Sequence, residues 1–254
     1  MSMRLGCHAV LFREKIKNDT ENIIKGLSKT GFQGSEIGSR FFGTEDKEML
    51  LGILDKYNYQ LSGMHVGVPL KDWINVEKRE EQKGNVLKVA KFVQDMPNKN
   101  VIMSGSDLEE GYDLKAIAEA IEEVAQACLK MGVKLHYHNH AWEFKDDAKI
   151  FKALVEYAPS LYFALDLGWV HVGGFDPIKI IEENRDRISY VHLRDVDENN
   201  KFVDLGAGVF YYPKLMSLLK EVLEEEGWAI VEYEEGEQNF ERYNKAKIFL
   251  DSVV

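Results

Sequence analysis

No apolar run in this 254-residue chain approaches the roughly 18 consecutive residues that a membrane span needs, and the apolar part of the opening "MSMRLGCHAVLF" is too short for a signal peptide. A cytoplasmic protein with no membrane partner is expected. Cysteine is scarce: Cys7 and Cys128 sit far apart in apolar surroundings, with neither the spacing of a zinc knuckle nor that of a redox motif, and read as buried structural thiols. Proline is scarce too, five in all, and no proline-rich or serine-rich linker divides the chain, so one domain over residues 1–254 is expected. Basic runs are absent. With 32 basic against 43 acidic side chains the net charge is −11, which offers no electrostatic footprint for a phosphodiester backbone and opposes nucleic acid as a partner.

What the chain does contain is alternation. Eight short apolar or β-branched runs, "MRLGCHAV", "FQGSEIG", "YQLSGMHVG", "NVIMSGS", "VKLHYHNH", "LYFALDL", "ISYVHLRDV" and "WAIVEYEE", each end in a polar or glycine-containing turn. Between them lie segments of helical period at 19–30, 45–57, 76–95, 114–130, 148–157, 176–183, 212–225 and 238–252. Asp19 and Asp113 read as helix N-caps, Asp176-Pro177 as a helix start, and the glycines of "KMGVK" and "EEGWA" as helix ends. Eight strand–helix pairs at a repeat of about 30 residues predict an α/β fold, a single (β/α)8 TIM barrel, over an open doubly wound sheet.

A barrel of this kind keeps its chemistry at the carboxyl ends of the strands. Those ends carry His8, Glu36, His65, Ser104, the stretch from His138 to Glu143, Asp166, His192 and Glu232. So many ionisable groups at one mouth need pairing or a metal. Glu143, Asp166, His192 and Glu232 combine three carboxylates with one imidazole, a donor set suited to a divalent cation, with manganese, magnesium, cobalt and zinc all open. The local alternatives are a solvated loop carboxylate for Glu143, a helix N-cap for Asp166, a core hydrogen bond for His192, and Glu234 as the rival of Glu232 on the same strand face. Arg194 shares a face with His192 and reads either as a substrate contact or as a salt bridge to Asp195 or Asp197. Trp169 could stack on a sugar ring. His8, Glu36, His65 and His171 could bind hydroxyls or brace ligands, and none of the four is assigned a catalytic role.

In its second half "YHNHAWEF", "FALDLGWVHVGGFDP", "YVHLRDV", "DLGAGVFYYP" and "AIVEYEE" follow one another in an order and spacing that resembles the xylose-isomerase-like TIM barrels, the sugar phosphate isomerase/epimerase superfamily. The resemblance places the family's metal ligands on Glu143, Asp166, His192 and Glu232, and implies that Glu143 and Glu232 act as acid and base. It implies substrate contacts from His65, His138, His140, Trp169 and Arg194. Ala207 and Tyr211 depart from the acidic pattern of many relatives after the seventh strand, which bears on the substrate and not on the metal quartet. The expected activity is a metal-dependent sugar isomerase or epimerase acting by proton removal next to a carbonyl of a small sugar, ketose or cyclic polyol. The alternatives are a keto-sugar or inosose dehydratase or lyase, an apurinic-site endonuclease, which the acidic balance opposes, and a non-catalytic sugar-binding barrel. The glycines at 173, 174, 206 and 208 could offer N–H groups to an anion but read more simply as turns. His136 is expected to be structural, and a homo-oligomer is left open.

Overall fold

The computed structural model describes residues 3–109, 111–223 and 227–253. Eight parallel strands close into a barrel: β1 (Arg4–His8), β2 (Gly34–Gly38), β3 (Gln60–Gly67), β4 (Asn100–Ser104), β5 (Lys134–His138), β6 (Tyr162–Asp166), β7 (Ile188–Leu193) and β10 (Trp228–Val231). The remaining two, β8 (Asp195–Val196) and β9 (Phe202–Val203), form a short antiparallel ribbon outside it. This is the expected (β/α)8 barrel, and a helix overlaps each of the eight helical segments read from the sequence. No described helix is long and apolar enough to cross a membrane. Both cysteines are buried and unpaired, as expected.

Helix boundaries follow local chemistry. Asp113 accepts from the Ala116 N–H at 3.1 Å, Asp176 from that of Ile178 at 2.9 Å with Pro177 at the first helical position, and Gly132 takes a φ of +71° after helix Leu114–Lys130. Asp19 departs from expectation: it precedes helix Thr20–Ser28 without capping it and accepts instead from the Asn22 amide. The expected helix end at Glu225 lies outside the described residues, the helix being described over Tyr212–Val222. The run "ISYVHLRDV" is not one strand. It leaves the barrel after Leu193, because the Asp195 carboxylate gathers the N–H groups of Val196, Gly206 and Gly208 at 3.0, 2.9 and 3.1 Å and ties the ribbon to the following turn.

The barrel interior changes character along its axis. Its amino-terminal half packs Ile102, Ala164, Tyr190, Trp228 and Ile230, all fully buried, whereas the carboxyl end holds the charged groups. Close packing in the apolar half depends on a strand glycine. A Cβ on Gly34 would fall 2.6 Å from the Gln60 carbonyl oxygen and 2.8 Å from the Trp228 ring. Gly34→Ala is therefore expected to cost about 1–3 kcal/mol, read as a lower urea midpoint at unchanged m-value; an unchanged midpoint would contradict this packing.

Candidate active site

All eight barrel strands and the turns that follow them deliver the site. Asp166 ends β6 and caps the short helix Leu167–Val172, Oδ1 accepting the Trp169 N–H at 2.8 Å. Among the described residues its Oδ2, which is buried, has no hydrogen-bond partner, so the N-cap role occupies one oxygen only. Glu232 follows β10, is 4% exposed, and its Oε2 is likewise unpartnered. His192 on β7 and His138 on β5 face each other with their Nδ1 atoms 2.9 Å apart, so one proton is shared between two ring nitrogens. Donor atoms of His138, Asp166 and Glu232 all lie within 4.8 Å of one another, and those of His8, His192 and Glu232 do so too.

Glu143 is elsewhere. It is buried on the turn Trp142–Phe144, with Oε1 accepting from the Tyr137 hydroxyl at 2.8 Å and Oε2 from the His140 N–H at 2.7 Å. Among the described residues no candidate metal group includes it. Around Glu232 the structure thus sets Asp166 with His138 in one group and His192 with His8 in another, while Glu143 lies apart from both. The reason is strand geometry: His138 is the last residue of β5 and faces inward, whereas five further residues carry the chain out of the barrel before Glu143 turns back onto Tyr137.

Glu36, on β2, is the hub that sequence reasoning left unassigned. It is fully buried and accepts from His65 Nδ1 at 2.7 Å, His192 Nε2 at 2.8 Å and His8 Nε2 at 3.1 Å. His8 has both nitrogens committed, because its Nδ1 accepts the Val10 N–H at 2.9 Å. A third candidate group, His8, Glu36 and His65, is therefore already satisfied by its own hydrogen bonds, unlike the orphaned oxygens of Asp166 and Glu232. Both nitrogens of His192 are thus engaged, Nε2 by Glu36 and Nδ1 by His138, and the bond to Glu36 fixes the rotation of the ring.

Arg194 projects beside this group, 3.3 Å from Glu234, 3.7 Å from Asp166 and 3.9 Å from Glu232; the expected partners Asp195 and Asp197 do not engage it. Its guanidinium packs over Phe202 at 3.7 Å and near Trp169 at 5.2 Å. Glu234, named as the rival of Glu232, is taken by Arg194 instead. His140 stacks on Trp142 at 4.1 Å, and Trp169 lies 5.9 Å from it on the same rim. His136 is structural, as read: it is fully buried beneath the site and bonded to Ser189 at 2.9 Å. The glycine turns hold no free anion site. Gly206 and Gly208 donate to Asp195, while Gly173 and Gly174 close a helix end onto Trp169 and His171.

Above the charged groups opens a cavity of about 210 Å³ lined by His8, His65, Ser104, His138, His140 and Glu232, among others. A larger cavity of about 1130 Å³, lined by Asn98, Asn100, Lys134, Ser189 and Gly227 among others, lies at the amino-terminal end of the barrel. We place the site at the smaller one because His138 and Glu232, which group with Asp166, line it.

Burial raises Asp166 to about 6 against the lowering effect of Arg194 and His192, and raises Glu232 to about 8 against that of His192 and Arg194. Burial opposes charge on His192 as well, yet Glu36 and Glu232 outweigh it and push the imidazole up to about 9. His138 is held well below the usual range by burial and by the charge on His192. Burial lifts Glu143 to about 7, opposed by its bonds from Tyr137 and His140. Without a cation, the group therefore retains protons that a divalent ion would displace.

The chain belongs to the xylose isomerase-like TIM barrel family, whose sequence model matches residues 24–252. Among its relatives, the inosose dehydratase of Geobacillus kaustophilus is 26% identical, the match covering 92% of this chain and 87% of that protein. The inosose dehydratase of Clostridium botulinum is 22% identical over 86% and 83%. The same fold is found in a D-tagatose 3-epimerase-like protein (TM-score 0.78, 14% identity, 99% of this chain and 97% of that one). It recurs in the 3-keto-D-glucoside 4-epimerase of E. coli (TM-score 0.77, 15% identity, 98% and 99%).

The raised groups set a pH dependence. Asp166, Glu232 and His192 all bind protons more tightly folded than unfolded, so their contribution is full at low pH and falls as pH rises through about 6, 8 and 9. The thermal midpoint of chelator-treated protein is expected to fall between pH 6.5 and 9, and saturating manganese to flatten that slope. A midpoint that is level or rising over this interval would contradict the assignment.

Proposed function

We propose that the protein is a divalent-metal-dependent enzyme that removes a proton next to the carbonyl of a small polyhydroxylated ketone, with a keto-cyclitol such as an inosose as the favoured substrate and loss of water as the favoured outcome. One observation carries this reading: among the described residues two buried carboxylate oxygens have no donors, Asp166 Oδ2 and Glu232 Oε2, and they lie with two facing imidazoles in a group of which His138 and Glu232 line the cavity. His138, Asp166, His192 and Glu232 would hold the cation, a donor set that fits a hard or borderline divalent ion. When bound, it would supply a Lewis acid that draws charge from substrate oxygens.

The residues themselves divide the remaining work. Glu232 reaches the cavity and is the candidate base, taking the proton from the carbon beside the carbonyl onto a carboxylate oxygen. Arg194 stands within 3.9 Å of it and keeps a positive charge close while negative charge develops on the substrate. Glu36 fixes the rotation of His192, and Glu143 braces the His140 backbone through Oε2. Trp142, Trp169 and His140 form an aromatic rim against which the apolar face of a ring can lie. Expulsion of a hydroxyl one carbon further on, as the enolate's electron pair forms the carbon–carbon double bond and the proton taken by Glu232 passes to the leaving oxygen to give water, makes a dehydratase, the activity named for the curated relatives above. Return of the proton to the substrate gives the isomerase or epimerase expected from the sequence, and the epimerase fold neighbours keep that second reading open.

Two experiments test the proposal. With 2-keto-myo-inositol and manganese, the expected product is lighter by one water, and Glu232→Gln should lower turnover by about 10²–10⁴-fold; solvent deuterium entering an otherwise unchanged substrate would instead favour the epimerase. Manganese should raise the thermal midpoint of the wild type and of Glu143→Gln but not of His138→Gln. The reverse pattern would return the ligand role to Glu143.

A further inference from the structure

Ser104 ends β4 at the cavity wall, and nothing above gives it a role. Its hydroxyl lies 2.8 Å from His65 Nε2, and His65 Nδ1 lies 2.7 Å from Glu36 Oε1. The direction of the protons along this row follows from its far end. His8 must carry its proton on Nε2, because Nδ1 accepts from Val10, so His8 donates to Glu36 Oε1. That same oxygen is an acceptor towards His65, whose Nδ1 is the donor. A neutral imidazole with its proton on Nδ1 has only a lone pair on Nε2, and so the Ser104 hydroxyl donates to His65. Ser104, 9% exposed, then has no proton left for the cavity and presents lone pairs alone.

We propose that Ser104 is a specificity-determining residue: an acceptor-only contact that binds one hydroxyl of the substrate and rejects a carbonyl or carboxylate oxygen at that position. The substrate class rests on the reading of the cavity as a polyol site, but the polarity of Ser104 does not. A serine free to rotate its proton would accept either kind of group. Tied to His65, it distinguishes the hydroxyl side of a hydroxy-ketone from its carbonyl side, and so helps set which way round the ring sits.

Two arms of one experiment separate these claims. In 15N-labelled full-length protein, long-range proton–nitrogen correlation spectra should show His65 with Nδ1 protonated and Nε2 unprotonated. Ser104→Ala should move the Nε2 resonance, and Ser104→Thr should restore it. A proton on His65 Nε2 in the wild type would overturn the proposal, since Ser104 would then be an acceptor to His65 with its own proton free. In the second arm, calorimetric binding of myo-inositol and its mono-deoxy analogues is compared across the same proteins in the presence of manganese. One deoxy position should weaken binding to the wild type and Ser104→Thr by about tenfold, the loss of a single hydrogen bond, and leave Ser104→Ala unaffected. An equal loss for every analogue in Ser104→Ala would show a merely structural role and overturn the specificity claim. Failure of the wild type to bind any inositol would overturn the polyol reading, while the nitrogen spectra would still decide the polarity of Ser104.

Discussion

Two carboxylate oxygens without hydrogen-bond donors, buried side by side at the mouth of a barrel, are the constraint around which the rest of the site is arranged. An uncompensated buried charge costs several kcal/mol, so the barrel must surround Asp166 and Glu232 with positive charge, leave them protonated, or bind a cation. Traces of each solution are present. Arg194 approaches both carboxylates at 3.7 and 3.9 Å without making a close hydrogen bond to either, and both are pushed towards the protonated form. The facing nitrogens of His138 and His192 complete a set of donors that point at one another rather than away.

A third carboxylate, Glu36, plays the opposite part. Both its oxygens are filled by imidazole donors, and although burial acts against ionisation, His192 and His8 outweigh it and hold the carboxyl well below its usual range. A buried anion satisfied in this way is a rigid anchor, and three rings hang from it in fixed orientations: His192 towards His138, His65 towards Ser104, and His8 towards the cavity wall. The division between an anchoring carboxylate and two carboxylates with an unpartnered oxygen rests on hydrogen-bond satisfaction, since all three are buried.

The barrel was legible because its signals are local and repeated. Eight apolar runs and eight helical periods leave little choice of architecture, and a carboxylate or imidazole at the end of a parallel strand has to face the mouth. Asp166, His192 and Glu232 were accessible on those grounds. The place of His138 beside them was not, because three alternating histidines share one strand face and the sequence carries no mark of where β5 stops: the last residue still within the strand is His138, and Glu143 returns to the wall only through the turn at Trp142–Phe144. Glu36 was hidden for a related reason. Its partners lie on β1, β3 and β7, and pairing across a closed barrel leaves no spacing to read. Of the two readings left open for Arg194, the salt bridge to Asp195 is not formed, since Asp195 turns outward where the chain quits the barrel and binds the glycine turn.

The most direct measurement of the central claim is anomalous diffraction from crystals of the protein soaked with manganese. The expected result is one peak within bonding distance of His138, Asp166, His192 and Glu232, with Glu36 still bonded to His192 Nε2. A peak bound by Glu143, a peak among His8, Glu36 and His65, or no peak at saturating manganese would contradict it.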